Sequence, residues 1–257
     1  MIGKLAFARL MVVSLSVPIL SMGAQSPADW ITQGDQAWAA RDATAAIAAY
    51  DKAIAADPNN YEALWRDARS QIDLAISEPD AEKRAAMYKS AQDHAARAVE
   101  VNPAGADGHF ILSEALGRMA LTLGARDRVK YAGRVRDQAM ACLKIDPKYP
   151  GCLHVMGEWN AEIMRLNSLT RLIARRFLGG EVFAKASWEN ARSYLEQAVN
   201  NDPHRIVHRL DLARVYQDMG LKSAAKTEFE AVVSGQIIDY NDPEYKTEAA
   251  VALKKLQ

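Results

Sequence analysis

The chain has 257 residues, enough to bury a sizeable core either as one domain or as a short repeat array. Its 32 Lys and Arg balance its 32 Asp and Glu, so the formal net charge is zero. That argues against a dedicated nucleic-acid binder, which usually carries a strong basic excess. Helix-favouring Ala, Leu, Glu, Lys and Arg are abundant while Gly and Pro are sparse and spaced out, a composition that leans all-α.

The N-terminal segment reads as a processing signal. Lys4 and Arg9 give a positive start with no acidic residue before Asp29, and Leu10 to Leu20 is a short apolar run followed by the small residues Ser21, Gly23 and Ala24. This is the pattern of a secretory signal peptide over residues 1–24, cleaved after Gly23 or Ala24. An uncleaved N-terminal anchor is the alternative. The run is short for a transmembrane helix, and no cysteine follows it for lipoprotein processing. The expected mature protein is periplasmic or secreted.

Further along, four segments share one pattern: Ala53-Ile-Ala-Ala-Asp57-Pro58, Ala98-Val-Glu-Val-Asn102-Pro103, Cys142-Leu-Lys-Ile-Asp146-Pro147 and Ala198-Val-Asn-Asn-Asp202-Pro203. Proline disfavours the α conformation in the residue before it, and Asp or Asn can bond nearby backbone, so each segment ends a helix and starts a turn. The small first residue lets two helices approach closely. In the first unit, Trp30, Gly34, Ala46, Tyr50, Ala53 and Pro58 stand at the spacings of the tetratricopeptide signature, a repeat of about 34 residues. Gly34 and Ala46 would let the two helices touch, and Tyr50 would fill the gap.

The middle units are longer. Successive prolines from Pro58 to Pro203 lie 45, 44 and 56 residues apart. Turns at Ser77-Glu-Pro79-Asp80 and near Gly124 imply helix pairs about a turn and a half longer than usual, and the fourth unit holds an insertion from roughly Arg165 to Ser187. A last unit, 206–234, has Ala213, Tyr216, Gly220, Ala225 and Phe229 in the signature roles. Asp242-Pro243 reads as an N-cap with proline at the first helical position, opening a helix that caps the array. The reading is thus an all-α, tetratricopeptide-type helical-hairpin solenoid over 25–257. Its units are about 27–60, 61–105, 106–149, 150–205 and 206–234, with a capping helix at 242–257. Cys142 and Cys152 both sit where a repeat wants a small apolar residue, so buried free thiols are expected.

Leu64-Trp65-Arg66-Asp67-Ala68-Arg69, His154-Val-Met-Gly157-Glu-Trp159, the basic insertion and the expanded repeat lengths resemble the regulator of microtubule dynamics family over roughly Tyr61 to Leu256. Its animal members are helical repeat proteins associated with microtubules and membranes, without a recognised catalytic centre. The resemblance therefore implies the fold and a non-enzymatic role. A microtubule role does not carry to a protein that leaves the cytoplasm, and the ligand stays unnamed.

Matching the chain to the repeat pattern places Trp38, Trp65, Arg69, Asp73, Glu114, Arg118, His154, Glu158, Glu162, Arg214 and Asp218 on the concave face. There, aromatic side chains would anchor a protein or peptide segment, and charges would fix its backbone or termini. The alternative is that these charges pair with one another across neighbouring helices. The inserted 165–180 stretch is amphipathic, with Arg171, Arg175 and Arg176 largely off the apolar face. It would pack on the solenoid or, alternatively, touch a membrane surface or a partner. His204 and His208 have i,i+4 spacing, but Arg205 stands where a zinc protease needs glutamate and the pair straddles a turn. No metal, cofactor, catalytic group or nucleic-acid partner is expected.

Overall fold

The computed structural model describes residues 25–166 and 181–256. Among them the chain forms helices only: α1 (Pro27–Ala39), α2 (Ala43–Ala56), α3 (Tyr61–Ile76), α4 (Ala81–Val101), α5 (Ala106–Thr122), α6 (Ala125–Ile145), α7 (Pro150–Arg165), α8 (Glu181–Ala184), α9 (Trp188–Asn201), α10 (Ile206–Asp218), α11 (Lys222–Ser234) and α12 (Asp242–Lys255). They pack as successive antiparallel hairpins, α1 with α2, α3 with α4, α5 with α6, α7 with α9 and α10 with α11. This is a tetratricopeptide-type solenoid.

The four Asx-Pro stops share one geometry. Asp57, Asn102, Asp146 and Asp202 leave the helix in an extended conformation, with φ between −141° and −130°. Each donates its N–H to the carbonyl four residues back, at 2.9 Å. The extended backbone is what the following proline enforces. At three of the four, the side-chain oxygen also accepts the N–H two residues on, at Asn59, Ala104 and Lys148. At the fourth, Asp202 accepts from Arg205 instead, at 3.2 Å. The small residues that begin these patterns, Ala53, Ala98, Cys142 and Ala198, are fully buried.

Extra length in the middle units falls mainly on the second helices. α4 and α6 have 21 residues each against 14 in α2 and α9, a difference of about two turns. In the first hairpin, a Cβ on Gly34 would lie 2.3 Å from Cε1 of buried Tyr50. Absence of a side chain at Gly34 is therefore what lets the ring lie down, with its Oη donating to Asp35 at 2.7 Å.

Two expectations are corrected. Cys142 and Cys152 form a disulfide between the last turn of α6 and the start of α7, with Cα atoms 6.3 Å apart. The close helix approach that calls for small residues also brings the two sulfurs into bonding range. Asn241 rather than Asp242 is the N-cap of α12. The Asp242 carboxylate turns back to accept the N–H groups of Ile238 and Asp239, at 2.7 and 2.8 Å. α12 and the segment before it make two sets of contacts. Tyr245, Ala249 and Leu253 pack on the α10–α11 core, while the segment leading into α12 reaches across to α3. The Asn241 amide donates to the Asp73 carbonyl at 3.1 Å, and Ser77 Oγ lies 2.7 Å from Glu244 Oε1.

Candidate functional site

α1, α3, α5, α6, α7 and α10 each turn one face inward, and the segment from Asp239 to Glu248 runs across from the last repeat. Together they frame a cavity of about 900 Å³. Trp38, Trp65, Arg69, Asp73, Glu114, Arg118, His154, Glu158, Glu162 and Arg214 all line it. Asp218 does not; its carboxylate instead holds Arg165, which does line the cavity, at 2.8 Å. Arg171, Arg175 and Arg176 lie outside the described residues.

One end of the cavity is aromatic. The Arg69 guanidinium sits 3.7 Å from the Trp38 ring centroid and 5.2 Å from that of Trp65, a cation held between two indoles. Trp38 donates its indole N–H to Asp73 at 2.9 Å, and Trp65 donates to Glu62 at 3.1 Å. Burial raises the Asp73 pKa to about 7, outweighing the Trp38 hydrogen bond that favours the carboxylate. Burial also pulls the Arg69 pKa below its ordinary value.

The other end is a charged lattice. Arg165 bridges Glu162 at 2.8 Å, Asp218 at 2.8 Å and Glu158 at 3.9 Å. Arg214 joins Asp211 to Glu248, the latter at 2.5 Å, while Arg118 stands 3.7 Å from Glu114. His154 places Nε2 3.2 Å from Asp211 and Nδ1 3.0 Å from Nδ1 of His208. Burial opposes a charge on His154, but the Asp211 carboxylate outweighs it and the pKa rises. Burial and the neighbouring His154 push His208 down to about 2. When His154 is protonated it can donate to both neighbours, with neutral His208 accepting at Nδ1 and carrying its proton on Nε2. That buried Nε2 has no hydrogen-bond partner among the described residues. Glu158 is raised to about 7, first by burial and then by Asp211.

His204 is exposed at its turn whereas His208 is buried against His154, so the two do not share a face. Among the described residues, no group of three or more His, Cys, Asp or Glu is arranged to hold a metal. Sequence reasoning missed Arg165, His208 and Asp211, as well as the whole contribution of Asp239, Asn241, Tyr245 and Glu248. The i,i+3 pair Asp211–Arg214 was the local signal for Asp211. No local signal announces a segment that crosses the concave face.

These observations define a class first: a tetratricopeptide-type solenoid with a polar and aromatic cavity on its concave face. The fold is that of a thermophilic TPR protein from Thermus thermophilus, with a TM-score of 0.66 at 20% identity over 89% of this chain and all of that one. The structure of PilF from Pseudomonas aeruginosa aligns at a TM-score of 0.50 and 13% identity, over 90% of this chain and 91% of that one. The particular family follows from sequence. The profile described as Regulator of microtubule dynamics protein 1-3 matches residues 30–257, and the chain belongs to that family. Relatives include regulator of microtubule dynamics protein 1 from Pongo abelii, 25% identical over 58% of this chain and 47% of that protein. The protein of the same name from Caenorhabditis elegans is 23% identical over 75% of this chain and 84% of its own length. The chain spans about half the length of the Pongo abelii and Bos taurus relatives.

Proposed function

We propose that the protein is a non-enzymatic scaffold that seats a segment of a partner polypeptide in the concave cavity. The observation that carries this reading is convergence: side chains from six helices and the C-terminal segment meet around one space of about 900 Å³. Trp38, Trp65 and Phe110 offer aromatic surface to a bound segment, while most of the charges are already paired and so shape the walls. Because the C-terminal segment crosses the mouth, the occupant is a short stretch or a chain end.

Export is part of the proposal. The N-terminal segment has the pattern of a secretion signal, and the Cys142–Cys152 disulfide supports an oxidising compartment. Microtubule regulation is the activity named for the relatives, and we do not extend it to this chain.

The test is photo-crosslinking in the native cell, with a photoreactive residue replacing Trp65 in the cavity or Lys89 on outer helix α4. Adducts to a recurring polypeptide from position 65 are expected. Adducts arising only from position 89 would reject the cavity as the binding site. Maleimide labelling after whole cells are acid-quenched and the protein is denatured tests the compartment: the two buried cysteines should react only after reduction, and thiols open to labelling without reductant would count against export.

A further inference from the structure

Six arginines line the cavity, and five of them are spoken for. Arg118, Arg165, Arg205 and Arg214 each face at least one carboxylate. Arg128 donates to the carbonyls of Leu121 and Leu123, at 3.3 and 3.4 Å. Of the six, Arg69 alone has neither an ion pair nor a hydrogen-bond acceptor among the described residues. Its Nε is shut away from water with no partner. What holds it is the faces of Trp38 and Trp65, and stacking leaves the in-plane N–H donors of a guanidinium free. A planar cation fixed by its faces, with its edge unclaimed, is pre-organised for a planar anion.

We infer that Arg69 is the anchor of the cavity and takes a carboxylate, its indole-clamped guanidinium engaging both oxygens of the bound group. The inference rests on reading the cavity as a binding site and names the chemistry of its occupant. A carboxylate can come from a polypeptide terminus, from an acidic side chain or from a small free acid. Aromatic and aliphatic walls beside Arg69, including Phe110, Ile76 and Ile111, suit an apolar body behind the charged head.

The charges around this point decide when the anion binds. Asp73 lies one turn along α3, Glu114 faces it from α5 and Asp239 from the C-terminal segment, while Asp35 and Arg66 lie near Arg69. An ionised Asp73 repels an incoming carboxylate, and protonated Asp73 does not. Since burial holds the Asp73 pKa at about 7, carboxylate binding weakens as pH rises through neutrality.

The experiment is a titration of the purified protein followed by tryptophan fluorescence, because Trp38 and Trp65 flank the anchor. Octanoate is compared with octanamide. A short peptide with a free C-terminus is compared with its amide, and both with an amidated peptide carrying one glutamate. The acids are expected to bind saturably, and the neutral partners to bind roughly 10- to 100-fold more weakly, the range for a charge-assisted hydrogen-bonded pair. Arg69→Gln should remove that preference, Arg69→Lys should keep part of it, and Lys89→Gln, outside the cavity on α4, should leave it unchanged. Octanoate affinity should fall between about pH 6 and pH 8 as Asp73 ionises. Which acid binds best identifies the source of the carboxylate.

Equal binding of acids and amides by the wild-type protein overturns the inference, and that comparison needs no variant to fold. Undiminished acid preference in Arg69→Gln overturns it as well. The two readings also fail separately. Partner capture at position 65 without Arg69 dependence removes only the carboxylate. Carboxylate binding without polypeptide capture removes only the polypeptide.

Discussion

Reducing the Cys142–Cys152 bond perturbs the middle of the array without removing an atom from its core. The bond joins residues ten apart in sequence, closing the chain around the Asp146-Pro147 turn. Loop closure over that separation restricts the unfolded chain by about 2.7 kcal/mol at 25 °C. For a protein of this size each kcal/mol moves the midpoint by roughly 2–4 °C, so reduction should lower Tm by roughly 5–10 °C. The folded state should change little, because both cysteines are fully buried and the α6–α7 contact is also held by apolar side chains. The assay is thermal unfolding by circular dichroism, with and without a phosphine reductant, for the wild type and for a Cys142→Ala/Cys152→Ala variant. The variant should melt near the reduced wild type and ignore the reductant. Coincident wild-type curves, with thiol titration showing the bond open, would refute the reasoning, because the turn would already restrain the unfolded chain as tightly as the bond does.

Glu158→Gln should stabilise the protein at about pH 8 by about 1–2 kcal/mol and do little at about pH 5. The raised Glu158 pKa means stability is fully present below the ordinary carboxylate range and is lost as pH rises through about 7, and Arg165 keeps Glu162 and Asp218 after the change. A stabilisation equal at both pH values would show that burial is not the cause. Asn241→Ala removes the amide bond to the Asp73 carbonyl and should cost about 1–2 kcal/mol; hydrogen exchange should quicken around Asn241 before it does so in α3, and unchanged exchange there would mean the crossing segment is held by other contacts. Gly34→Ala gains about 1 kcal/mol of helix propensity but drives a methyl into Tyr50, a steric cost of about 1–3 kcal/mol, so thermal melts should show a net loss. A higher Tm would mean the ring has room to move.

Much of the fold is legible in the sequence because its determinants are local. Each Asx-Pro stop is set by proline acting on its own neighbour, and the small residue four positions before the Asx is fully buried between helices. Pattern and geometry therefore agree four times over. The disulfide shows where local reasoning stops. Small residues at a helix contact read as packing positions, and the pattern says nothing of whether two side chains from opposite helices meet. Cys142 and Cys152 meet because the turn between them is short and both project into one interface.

The cavity divides along the same line. Repeat register fixes which positions of each first helix turn inward, so Trp65, Arg69, His154 and Glu158 can be placed on the concave face from spacing alone. Their chemistry cannot, because it depends on residues brought in from far along the chain. The His154 pKa is raised by Asp211 in α10, and Arg214 is tied to Glu248 in α12. The crossing segment also changes what the concave face is. An open solenoid groove accepts a long extended chain, whereas here Asn241 and Glu244 fasten the C-terminal segment to α3. An extended ligand must either be short enough to lie beneath that segment or break those bonds on entry. If it breaks them, bound partner should speed exchange at Asn241; if it lies beneath, exchange there should slow. The sign of that change separates a cavity that opens from one that only fills.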